Sequence, residues 1–232
     1  MFIVCTGKVK TPHFGDSSLS GKDQAMKQVY DPEIHHRRSI RLKEYDYSRP
    51  GAYFVTICTH NREYLFGNVV NDETVLSRHG EIVKNVWCNL TNHYLNIKLD
   101  AFIVMPNHIH GIIVLIDVDI VGAGLKPAPT DLTKYYPLSE IVRAFKTFSA
   151  RHVNELRITP GIPVWQRNYH EHIVRNENEI NRIREYIMHN PLRWQFDREN
   201  PKCVNVGVGL KPTPTADDKQ WDDFEEAIFG KK

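Results

Sequence analysis

Two runs that read as β-strands, Ile97–Val104 and His108–Ile116, are separated only by Met105-Pro106-Asn107. A link of three residues can close a hairpin but is far too short for a crossover, so the two runs are antiparallel neighbours in one sheet. Around this pair the chain alternates. Ala52–Thr59 is rich in β-branched and aromatic residues and follows a Pro50-Gly51 turn, which predicts another strand. Glu81–Tyr94 places Ile82, Val83, Val86, Trp87, Leu90 and Tyr94 at helical spacing. Ser139–Leu156 carries an apolar stripe of Ile141, Val142, Phe145, Phe148 and Leu156, with Ser139 as its cap and Arg143, Lys146 and Arg151 off the stripe. A last helix begins after Asn176, which with Glu179 resembles a capping box, and ends by Asn190 because Pro191 follows. The pattern predicts an α+β fold, a ferredoxin-like sandwich with a central antiparallel sheet and helices on its faces.

Hydrophobic residues make up 41% of the 232 and charged residues 25%, enough apolar surface for one folded domain. The organisation expected is an extension of low order over residues 1–36, a domain over 37–196, and a tail over 197–232. Residues 121–130 recur as 206–215 with eight of ten positions identical; their Gly and Pro predict linkers, the first within an insertion at about 117–137. No apolar run is long enough to span a membrane. Cys5, Cys58, Cys88 and Cys203 show neither disulfide-framework nor zinc spacing, so free thiols and a cytoplasmic, nucleoid-associated protein are expected. The net charge of +2 makes any basic surface a local matter, and the densest cluster is Arg37, Arg38, Arg41 and Lys43.

On a strand, residues two apart share a face, so His108 and His110 present two imidazoles side by side with Ile109 on the other face. Such a pair is either a polar face or half of a divalent-metal site, and the apolar run around it favours the metal. Gly111 is expected to leave room for a ligand. Further along, Trp165-Gln166-Arg167-Asn168-Tyr169-His170-Glu171-His172 suggests a short helix headed by Tyr169, with His172 one turn on. A tyrosine has an unperturbed pKa near 10 and needs help to attack phosphorus, which a nearby metal supplies. Tyr186, on one helix face with Ile183, reads as a packed aromatic.

The ordered set Met105-Pro106-Asn107-His108-Ile109-His110, then Trp165 to Arg175, then Tyr186-Ile187-Met188-His189-Asn190-Pro191-Leu192-Arg193 resembles the REP-associated tyrosine transposases, members of the HUH superfamily of single-tyrosine DNA nucleases. Arg38 to Leu42, Tyr45 to Ser48 and Gly51 to Thr59 are similar to that family as well, so the resemblance spans roughly residues 37 to 196. It implies that His108 and His110 are metal ligands for Mg²⁺ or Mn²⁺ and that Tyr169 is the nucleophile of a DNA nickase and strand transferase. A 5′-phosphotyrosine intermediate and a substrate of single-stranded or palindromic hairpin DNA follow from it. Relatives often place a polar residue four positions after the tyrosine as a further ligand; here that residue is Ile173, so His172 is the candidate instead.

DNA contacts are expected from Arg37, Arg38, Arg41 and Lys43 on phosphates, from Tyr45, Tyr47 and Trp165 on bases, and from Arg167 and Arg175 beside the reacting phosphate. Arg143, Lys146 and Arg151 read as solvated charges or a phosphate track. Monomer and homodimer both remain open. Two other readings stand beside the nuclease: an inactive DNA-hairpin-binding protein on the same scaffold, and a metal hydrolase in which His108, His110 and His172 activate water.

Overall fold

The computed structural model describes residues 45–117, 135–197, 199–201 and 216–230. Arg37, Arg38, Arg41, Lys43, the extension over 1–36 and both copies of the repeated segment lie outside the described residues. The elements are β1 (Gly51–Cys58), β2 (Gly67–Val70), β3 (Glu73–Leu76), α1 (Arg78–Cys88), α2 (Leu90–His93), β4 (Ile97–Val104), β5 (His108–Leu115), α3 (Leu138–Arg157), β6 (His170–Val174), α4 (Glu177–His189) and α5 (Ala216–Phe229).

The main sheet runs β4-β5-β1-β6 with every neighbour antiparallel. With α1 after β1 and α3 after β5, this is a ferredoxin-like β-α-β-β-α-β arrangement, and the sequence predicts each of these elements except β6. Alternation divides the strands between two apolar layers. Tyr53, Val55 and Ile57 of β1 and Ile109 and Ile113 of β5 pack with Val83 and Trp87 of α1 and Ile141, Val142 and Phe145 of α3. On the other side Phe54 and Ile112 pack with Ile180, Ile183, Tyr186 and Ile187 of α4 and with Phe224 and Ile228 of α5. Each large apolar side chain buried this way contributes about 1.5–3 kcal/mol.

Several expectations change in detail. The 157–172 region holds no Tyr169 helix: residues 170–174 form edge strand β6, paired with β1 through Thr56↔His170 and Phe54↔His172. In α3 the cap residue is Pro137 and not Ser139; Phe148 and Leu156 are exposed, and Ser149 and Val153 take the buried positions. Gly111 offers no room to a ligand, since a Cβ there would lie 2.4 Å from Cζ2 of Trp87, whose indole stacks on Phe102. Asn176 does cap α4, accepting from the Glu179 amide at 2.9 Å. Hairpin β2–β3, turned by Asn71 and Asp72 at positive φ, was not anticipated. Nor was α5, which lies within the expected tail. Cys58 carries a free thiol, as its spacing predicts. No described helix is long and apolar enough to cross a membrane.

Candidate active site

His108 and His110 sit on the α4 side of β5, and both side chains are fully buried. The ladder places His110 opposite Thr56 and His108 opposite Cys58. Their Nε2 atoms converge at 3.0 Å, and each Nδ1 is held from behind: His108 by Asn107 Oδ1 at 2.8 Å and His110 by Thr56 Oγ1 at 2.8 Å. The Asn107 amide nitrogen is committed to the Glu199 and Arg62 carbonyls, so its oxygen faces His108 and can only accept. His108 therefore carries its proton on Nδ1, and its Nε2 presents a lone pair.

Burial, helped by the Arg62 charge, pushes the His108 pKa down to about 3. Burial first, and then His108 itself, holds His110 well below its ordinary value. Both imidazoles are neutral at pH 7, the form that binds a metal.

A carboxylate that sequence reasoning missed joins the pair. After α4 the chain turns at Pro191 and through a 3₁₀ turn, Trp194–Phe196, which delivers Asp197 with Oδ2 at 3.9 Å from His108 Nε2. One donor atom each from His108, His110 and Asp197 lie within 4.8 Å of one another, and all three residues are buried. Asn190, 3% exposed, caps the end of α4; its buried Oδ1 has no hydrogen-bond partner among the described residues. Asn190 and Asp197 line a common cavity of about 10 Å³ with Tyr186, His189, Arg193 and Trp221.

Tyr169, the candidate nucleophile, and Tyr186, read from the sequence as a packed aromatic, part company here. Tyr169, just before β6, packs against the layer under α1 and α3. Tyr186, on α4, lies against the histidine pair, with its ring centroid 5.2 Å from that of His110. His172 faces the α4 side but pairs with Glu179 through Nε2–Oε1 at 2.8 Å, outside the cluster that Asp197 completes. Trp165 is a core residue: it donates to Ser149 Oγ at 2.9 Å and packs on Phe66 and Phe145, so its face is not available to a base. Arg167 and Arg175 are exposed, while Tyr45 and Tyr47 are half-buried against Tyr53.

Helix α5 covers this face. Phe229 packs on His170, Phe54 and His110 at centroid distances of 4.7, 6.0 and 6.4 Å, and Phe224 and Trp221 pack on Tyr186 at 5.5 and 6.2 Å. The remaining cavity holds about one water molecule and no phosphate.

An uncharacterised protein of Haemophilus influenzae is 41% identical to this chain over 182 residues, which cover 98% of that protein and 75% of this chain. The chain belongs to the family of that protein. No family model matches the chain. Among solved structures, a REP-associated tyrosine transposase bound to a REP hairpin is similar over 75% of this chain and 89% of its own, at 19% identity and a TM-score of 0.45. A provisionally named transposase of Deinococcus radiodurans is similar over 64% of this chain and 95% of its own, at 16% identity and a TM-score of 0.36.

Proposed function

We propose that this member of the Haemophilus protein's family is a metal-dependent endonuclease and strand transferase acting on single-stranded or hairpin DNA, with Tyr186 as nucleophile in place of Tyr169. The carrying observation is that Tyr186 lies against His110 while Tyr169 packs on the opposite side of the sheet. The spacing that the sequence resemblance implies supports the same choice, because the residue four positions after Tyr186 is Asn190, a polar side chain with a buried oxygen. Four positions after Tyr169 stands Ile173.

Two neutral imidazoles, a carboxylate and an amide oxygen suit a divalent cation. His108, His110 and Asp197 would hold it, with Asn190 as a further oxygen donor. Mg²⁺ or Mn²⁺ bound there would withdraw charge from the scissile phosphate. Asn107 and Thr56 fix the two rings. Tyr186 supplies the phenolic oxygen: its O–P bond forms as the P–O3′ bond breaks, and the phenolic proton ends on the departing 3′ oxygen. The resulting phosphotyrosine ester retains the bond energy needed to rejoin a strand. Helix α5 has to move aside for a phosphate to enter.

The test is covalent adduct formation between the full chain and single-stranded oligonucleotides drawn from palindromes beside its own gene, with Mn²⁺ present, read on a denaturing gel. An adduct lost in Tyr186→Phe and kept in Tyr169→Phe is expected. The reverse pattern overturns the assignment. Binding without an adduct favours the inactive hairpin binder, and cleavage surviving Tyr186→Phe favours the hydrolase.

A further inference from the structure

Helix α4 crosses the sheet and is tied by charged groups to both of its edge strands. At its first turn, Glu179 takes His172 of β6 at 2.8 Å and the Arg175 amide at 2.7 Å. Five residues further along, Arg184 grips Asp100 of β4 with two parallel bonds, Nε–Oδ1 at 2.9 Å and Nη2–Oδ2 at 2.7 Å. A planar fork on a carboxylate fixes orientation as well as distance, which a single contact does not.

The contact to Asp100 depends on an irregularity in β4. The ladder to β5 shifts register between Leu99 and Phe102. Leu99 and Phe102 both pack toward α1 and α3, and Ala101 packs toward α4. Regular alternation would put Leu99 and Phe102 on opposite faces; the extra residue lets Asp100 meet α4 without displacing either ring-side contact. Arg184 stands two residues before Tyr186 and six before Asn190, so its position along β4 sets where both side chains lie relative to His110.

We propose that Asp100, aimed by the β4 bulge and acting through Arg184, is a positioning residue that holds the Tyr186 helix in register with the histidine pair. The role rests on Tyr186 being the nucleophile. Misplacing a reacting group by about 1 Å can cost on the order of 100-fold in rate. Loosening one of the two anchors should therefore slow the chemical step far more than it weakens DNA binding.

The test compares the full-length chain with Arg184→Gln and with the swapped pair Asp100→Arg/Arg184→Asp. Arg184→Gln is expected to lower the single-turnover rate of adduct formation at saturating DNA by roughly tenfold or more, with DNA Kd and Mn²⁺ affinity within about twofold of the parent. The swapped pair should recover most of that loss. Amide hydrogen exchange gives a readout that does not depend on activity: α4 amides should exchange at least about tenfold faster in Arg184→Gln, with β5 amides unchanged. An unchanged rate, or unchanged exchange along α4, overturns the proposal. If the parent chain forms no adduct on any oligonucleotide, the assignment of Tyr186 fails, while the exchange experiment still decides whether the pair anchors the helix.

Discussion

Thr56 and His110 are joined twice, as Cα partners in the β1–β5 ladder and through Oγ1 and Nδ1 at 2.8 Å. With His108 presenting its Nε2 lone pair, His110 donates from Nε2 and accepts the Thr56 hydroxyl at Nδ1. Coordination through His110 Nε2 requires the other tautomer, with Nδ1 donating to Thr56. A hydroxyl serves either state. Thr56→Val should therefore weaken Mn²⁺ binding by about 10- to 100-fold in titration calorimetry while the fold persists. Unaltered affinity would show that the ring is oriented by other contacts.

Protonation gives a second check on the pair. Both histidines have folded pKa values depressed by burial, His108 to about 3, against about 6.5 when unfolded. Above pH 6.5 neither state is charged and the pair contributes no pH dependence. As pH falls below 6.5 the unfolded chain takes up protons that the folded chain refuses, so stability declines toward pH 3. The metal-free protein should lose Tm between pH 7 and pH 5, and His110→Gln should lose less over that interval. Parallel curves for the two would contradict the burial described.

Gly111 yields a packing prediction. An added methyl would sit 2.4 and 2.7 Å from Cζ2 and Cη2 of Trp87, forcing the indole off Phe102. Gly111→Ala should destabilise by about 1–3 kcal/mol in urea denaturation and shift the tryptophan emission. A neutral substitution would mean that the indole has somewhere else to go.

Trp165 separates a core role from a DNA-stacking one. Trp165→Phe removes the donor to Ser149, which should cost about 1 kcal/mol of stability and leave oligonucleotide affinity within about twofold. A large loss of affinity at full stability would restore Trp165 to the DNA interface.

The aromatic cover over Tyr186 sets a rate prediction. If only the fraction of molecules with α5 displaced can admit a phosphate, shortening the cover should raise that fraction. The double change Trp221→Ala/Phe229→Ala should raise the adduct formation rate by roughly threefold or more at subsaturating DNA. A slower reaction would show that these rings help to build the site.

The histidine pair and its face were legible because strand parity is a local rule, and the antiparallel hairpin around them followed from a three-residue link. The tyrosine proposed here as nucleophile was not. Tyr169 lies near His172 and Arg167 in sequence, and an isolated reading took that proximity for a helix turn, whereas pairing with Thr56 and Phe54 draws the segment into an edge strand. Tyr186 looked like ordinary core because it is core, 4% exposed among Phe54 and Phe224; only the tertiary packing of α4 on β5 reveals what it touches. Asp197 belongs to no periodic pattern and reaches the site through a turn. Helix α5 did leave a trace, the spacing of Trp221, Phe224 and Ile228, obscured by the Gly- and Pro-rich segment before it.

The β5 ladder tolerates no change of length. Adding or removing one residue between His110 and Leu115 would rotate both imidazoles into the layer beneath Trp87 and turn Ile109 toward Tyr186. Lineages of this protein are thus free to grow or shrink in the segments joining their strands, but an indel inside β5 would extinguish the site in a single event.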